Sequence, residues 1–123
     1  MYHSIIIQES LKDKKILEKY KIIQTKLSSR WHLHIVEFEG VESFIKDIQG
    51  SMVSDQPYYF HIYNAGKCLK VIFKDKVFNL DPRDKGTWTD ARNFGAEKLN
   101  IPAKELDFFP KSFAEEEEWL KSK

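Results

Sequence analysis

Residues 31–80 read WHLHIVEFEG VESFIKDIQG SMVSDQPYYF HIYNAGKCLK VIFKDKVFNL, and this stretch decides the fold. From Trp31 to Phe38 the side chains alternate, with Trp31, Leu33 and Ile35 toward one face and His32, His34, Val36 and Phe38 toward the other, the period of two that a strand imposes. Gly40 ends the strand. Val41, Phe44, Ile45, Ile48 and Met52 then recur at the 3.6-residue period of a helix that buries one stripe. Beyond the turn residues Ser54 to Pro57, three short strands are expected at Tyr58 to Tyr63, Cys68 to Lys74 and Val77 to Leu80. Asn64-Ala65-Gly66 and the turn at Asp75 are short enough to force antiparallel hairpins.

Upstream, the aliphatic run in Tyr2 to Gln8 suits a strand. A short helix follows, with a loose apolar stripe of Leu11, Ile16, Leu17 and Tyr20. Lys21 to Leu27 and Arg30 to Phe38 pair as a hairpin across a turn at Ser28-Ser29. Downstream, Thr87 and Asp90 have the spacing of a capping box, which predicts a helix over 87–100 whose inner face carries Trp88, Ala91, Phe94, Gly95 and Leu99. Asn100 and Pro102 stop it. Ser112 and Glu115 form a second capping box for a terminal helix over 113–121, with glutamates in its first turn and lysine at its end, the order that suits the helix dipole.

These elements predict an α+β, two-layer sandwich: a five- or six-stranded, mainly antiparallel sheet, partly ferredoxin-like, with helices 41–52 and 87–100 on one face. Phe60, Ile62, Leu69, Val71, Phe73, Phe78 and Leu80 are expected to meet the helices, and Tyr59, His61, Tyr63, Cys68, Lys70 and Ile72 to line the opposite face. Residues 1–110 make one domain, and 111–123 a helix that docks on it or on a neighbouring subunit.

With 123 residues the chain suits one core, and nine Phe, five Tyr and three Trp supply large buried area although mean hydropathy is −0.52. Twenty basic residues against 19 acidic leave a net charge of +1, without the basic field of a duplex nucleic-acid binder. One cysteine, Cys68, excludes an intramolecular disulfide and an all-Cys zinc site. The N-terminus has neither the basic prelude nor the long apolar core of a signal peptide, and no segment approaches the ~20 apolar residues of a membrane span. A cytoplasmic protein is expected.

Gln8-Glu9-Ser10-Leu11-Lys12-Asp13, Val77-Phe78-Asn79-Leu80, Thr87-Trp88-Thr89-Asp90-Ala91 with Phe94-Gly95, Leu99-Asn100-Ile101-Pro102 and Leu106-Asp107-Phe108 together resemble a set of small bacterial conserved hypothetical proteins. The resemblance spans residues 2 to 109. It implies one compact α+β domain in a bacterial cytoplasm and brings no activity, since the shared motifs are packing and capping motifs.

Nucleophile elbow, phosphate loop and dinucleotide fingerprint are all missing from the sequence. His32 and His34, two apart on one strand, together with His61, would form a metal or catalytic site if the three shared a sheet face. The plainer reading, amphipathic rings without a carboxylate or cysteine at ligand spacing, is favoured, so neither metal nor cofactor is expected. Cys68 reads as a small buried hydrophobe rather than a nucleophile. Arg83, Lys85, Gly86 and Thr87 precede a helix and are the anion-binding candidates, although Thr87 is accounted for as a cap. The rings of Trp31, Tyr59 and Tyr63 suit base stacking, but the sequence lacks the glycine-aromatic pattern of RNA-binding sheets.

The leading expectation is a non-enzymatic binding or protein-interaction module. Its ligand or interface candidates are Trp31, His32, His34, Tyr59, His61, Tyr63 and Trp119; its partner is a second copy in a homodimer, another protein or a small molecule, and neither duplex nucleic acid nor membrane. The alternative is a small metal-dependent or His-based enzyme.

Overall fold

All six strands hydrogen-bond antiparallel in the order β2-β3-β1-β4-β5-β6, in a computed structural model that describes residues 1–28 and 31–121. The strands are β1 Tyr2–Ile7, β2 Lys21–Ser28, β3 Trp31–Phe38, β4 Tyr59–Tyr63, β5 Leu69–Phe73 and β6 Lys76–Leu80. Helix α1, Val41–Ser51, links β3 to β4. Because β1 runs antiparallel to both of them and lies between them, β3, α1 and β4 form a split β-α-β unit, which is the ferredoxin-like element of the fold. The turn expected at Ser28-Ser29, and the strand start at Arg30, involve Ser29 and Arg30, which lie outside the described residues.

The α+β sandwich is present, but its helices cover both faces of the sheet. On the first face Phe44, Ile48 and Met52 of the α1 stripe bury against Ile6, Val36, Phe38, Phe60, Ile62 and Ile72. Phe38 and Phe44 stack with centroids 3.8 Å apart. Leu11 and Leu17 join this core from an irregular segment with a 3-10 turn over Lys14–Lys19, started by the Asp13 carboxylate accepting from the Lys15 amide. The apolar positions 11, 16, 17 and 20 are too unevenly spaced to sustain an α-helix there.

The second face carries Leu69, Val71 and Phe73, packed beneath Trp88, Ala91, Leu106 and Phe108. The placement of helix 87–100 beside α1 is therefore corrected, and so is the grouping of Phe60 and Ile62 with Leu69, Val71 and Phe73. Register pairs Phe60 with Ile72 and Tyr59 with Phe73, so the odd-numbered residues of β4 and β5 share a face, as do the even-numbered ones.

The segment over that second face starts earlier than the Thr87 cap implied. A 3-10 turn spans Lys85–Trp88 with Asp84 as its N-cap, followed by α2, Thr89–Asn93, and one wide π turn over Phe94–Lys98. Asn100 ends it with a φ of +57°, the left-handed conformation asparagine tolerates. At Gly95 a Cβ would lie 2.8 Å from a methyl of Leu106, so this position needs glycine for close approach.

Helix α3, Phe113–Lys121, has its amide at Glu115 bonded to the Ser112 hydroxyl, as the capping box implies. It packs on its own chain. Glu116 is buried against His3 and Tyr63, and Phe113 donates its amide to the Asn64 carbonyl. The sheet face bearing Tyr59, His61 and Tyr63 is thus covered by residues 85–121 of the same chain, and of the two placements open to the terminal helix it takes the one on its own domain. Leu120 of α3 is exposed.

Candidate functional site

A cleft of about 410 Å³ opens on the second sheet face, between the 100–109 segment and α3. Its floor is apolar: Ile5 and Ile7 of β1 and Leu33 of β3, brought level by the pairing of Ile5 with Ile35 and Ile7 with Leu33. Trp31, Tyr59 and Trp119 supply rings, and Ile101, Pro102 and Phe109 close the far wall. Gln56, Asn100 and Glu105 bring polar groups to its lining.

Each wall is held by a specific bond. Tyr59 donates its hydroxyl to the carbonyl of Glu105, fixing the 3-10 turn Ala103–Glu105 over the sheet. Burial pushes the phenol of Tyr59 up, with the nearby carboxylates of Asp107 and Glu105 acting in the same direction, so it stays a donor at neutral pH. At Phe108 a φ of +51° turns the chain; Phe108 goes fully into the core, whereas Phe109 is 39% exposed at the cleft. Across the cleft, Lys26 donates to the Trp119 carbonyl at 2.9 Å and places its ammonium 4.5 Å from the centre of that indole, a cation–π contact.

His61 is 7% exposed and is the buried polar side chain of the cleft lining. Its Nε2 lies 2.7 Å from the carbonyl oxygen of Pro110. A carbonyl only accepts, so Nε2 carries the proton and Nδ1 presents a lone pair. Burial holds the imidazole below its ordinary pKa against the opposing pull of the Pro110 bond, keeping it neutral.

Above the cleft floor the second anchor of α3 is a buried polar cluster. Glu116 Oε1 accepts from His3 Nδ1 at 2.7 Å and from the Tyr63 hydroxyl, and His3 Nε2 lies 3.2 Å from Glu37 Oε1. Tyr63 is fully buried here, so among the sequence candidates it serves as an anchor beside the cleft rather than as part of its lining.

The remaining candidates separate. His32 and His34 lie on the α1 face and His61 on the opposite one, because β1 pairs with both β3 and β4 and places Ile6 across from His34 and Ser4 across from Ile62. A site built from all three is therefore overturned. Each ring is bonded on its own: His32 by amide and Nδ1 to the two oxygens of Glu9, and His34 by Nδ1 to the Thr25 hydroxyl and Nε2 to Gln8 Oε1, both at 2.9 Å. Burial, reinforced by the adjacent His32, lowers the pKa of His34.

At the anion candidates, the Asp84 carboxylate accepts from the Gly86 amide at 3.0 Å, taking the position an anion would occupy. The Thr87 hydroxyl donates to the Asp84 carbonyl, and Arg83 sits near the Asp81 carboxylate. Cys68 is half-buried, with its thiol pushed up by burial; it lies beyond Leu69, whereas His61 pairs with Val71.

Four sequence candidates, Trp31, Tyr59, His61 and Trp119, therefore meet at one cleft. Its far wall was missed: Asn100, Ile101 and Pro102 read as a helix stop, and Phe109 gave no signal. Comparisons with protein-family models, curated proteins and solved structures find no match to this chain. Among the described residues no helix is long and apolar enough to cross a membrane.

Proposed function

We propose that this protein is a non-enzymatic binding module that holds a small, largely apolar molecule in the cleft over β1, β3 and β4. One observation carries the reading: Trp31, Tyr59, His61 and Trp119, drawn from two strands and a helix, surround a cleft whose volume of about 410 Å³ falls in the range of small-molecule sites. Apolar floor, ring walls and few polar groups are the composition of such a site. The protein-interaction form of the reading has less support, since residues 85–121 cover the sheet face on which self-association was expected. The enzymatic alternative needed converging histidines, and His61 has no histidine beside it in the cleft.

A titration of the ¹⁵N-labelled full chain with 3-methylindole, followed by amide chemical shifts, tests the reading. Perturbations clustered at Leu33, Tyr59, His61 and Ile101, with α1 unchanged, are expected. Shifts spread evenly over the surface, or absent at millimolar ligand, would refute it.

A further inference from the structure

We infer that the cleft selects ring compounds bearing an N–H or O–H donor, which His61 receives at Nδ1. This deepens the binding-module reading and rests on it. Nε2 of His61 is committed as donor to the Pro110 carbonyl, which fixes the tautomer and leaves Nδ1 as an acceptor. Among the described residues Nδ1 has no hydrogen-bond partner, yet no buried side-chain nitrogen or oxygen there is left without one. The atom is therefore reached from outside, and His61 lines the cleft. An acceptor on a side chain only 7% exposed, beside an apolar sheet floor, is solvated poorly, so a ligand that brings a donor to it gains a hydrogen bond that an isosteric ligand without one leaves unmade.

The rest of the lining defines the body of the ligand. Ile5, Ile7 and Leu33 form an apolar sheet floor, and the rings of Trp31, Tyr59 and Trp119 line the cleft beside it, which suits a planar aromatic of one or two rings. The acid in the lining, Glu105, is exposed and comes from the covering turn rather than the floor. A neutral ring donor such as an indole or phenol fits this arrangement better than an ammonium, which needs a buried counter-charge.

The test compares two isomers of equal size, 3-methylindole with its ring N–H and 1-methylindole without it, by calorimetric or chemical-shift titration of the full chain. The 3-isomer is expected to bind about fivefold or more tightly, the ratio falling near one in His61→Phe. In the unsubstituted protein the ¹⁵N resonance of His61 Nδ1 should also move on adding 3-methylindole, a readout that holds even where the variant fails to fold. Equal affinities with an unmoved Nδ1 would overturn the donor selection while leaving the cleft as a binding site. Failure of both isomers to bind at millimolar concentration would overturn the binding reading itself.

Discussion

Glu116 on α3 accepts a hydrogen bond from the Nδ1 of His3 on β1 at 2.7 Å, joining residues 113 positions apart at a buried site. The same oxygen takes the Tyr63 hydroxyl, and the phenol of Tyr63 is pushed well up by burial and by this carboxylate. Removing the carboxylate leaves the Nδ1 of buried His3 and the hydroxyl of buried Tyr63 without their acceptor. Glu116→Ala is expected to cost about 3 kcal/mol in urea unfolding, as breaking one side of a buried pair does. It should also redden Trp119 emission as α3 loosens. An unchanged midpoint would mean that Phe113 and Trp119 alone dock the helix.

Each sheet face has its own anchor. Phe44 is fully buried under α1 and Trp88 is 2% exposed on the opposite side, its indole N–H donating to the Asp81 carbonyl at 2.8 Å. Phe44→Ala and Trp88→Ala should each cost about 3–5 kcal/mol, whereas the exposed Lys46→Ala should cost under about 0.5 kcal/mol. Denaturant midpoints of the three variants check this, and a small loss at either aromatic would displace that ring from its core.

Gly95 is close-packed rather than flexible. A methyl added there meets Leu106 at 2.8 Å and Phe73 at 3.4 Å. Gly95→Ala, which in an open helix would be favourable, should instead destabilise by about 1–3 kcal/mol through overpacking. A gain in melting temperature would show that Leu106 yields freely.

How far the fold was legible depended on how polar each element's exposed side is. The α1 stripe of Phe44, Ile48 and Met52 stood out because Glu42, Lys46 and Gly50 lie between. In β5, by contrast, Leu69, Val71, Ile72 and Phe73 are all buried, since helices cover both faces of the sheet there. Lys70 marks the even-numbered side of β5, but both sides carry buried apolar residues, so its alternation did not say which residues align with Phe60 and which with Tyr59, and the faces were exchanged. Whether the histidines converge has the same source: strand spacing put His32 and His34 on one face, but the face of His61 depends on register through β1, which no local pattern encodes. The cleft's rings were visible as residues, its far wall only as a helix stop, because a wall made of loop backbone has no periodicity.

Two lowered histidines contribute to the pH dependence of stability near neutrality. Unfolded, His34 and His61 take up protons as pH falls through about 6.5. Folded, both are held neutral to lower pH by burial. The unfolded state then binds more protons, so their contribution destabilises the fold progressively as pH falls below that value. The loss of urea midpoint between pH 7 and pH 5 should be smaller in His61→Phe than in the unsubstituted chain. An equal or larger loss in the variant would mean that His61 protonates inside the fold.

The most direct measurement is a crystal structure of the full chain with 3-methylindole. The ring is expected over Ile5 and Leu33, between Trp31 and Trp119, with its nitrogen about 3 Å from Nδ1 of His61. A cleft filled by the protein's own side chains, or a ligand bound only elsewhere, would contradict the account.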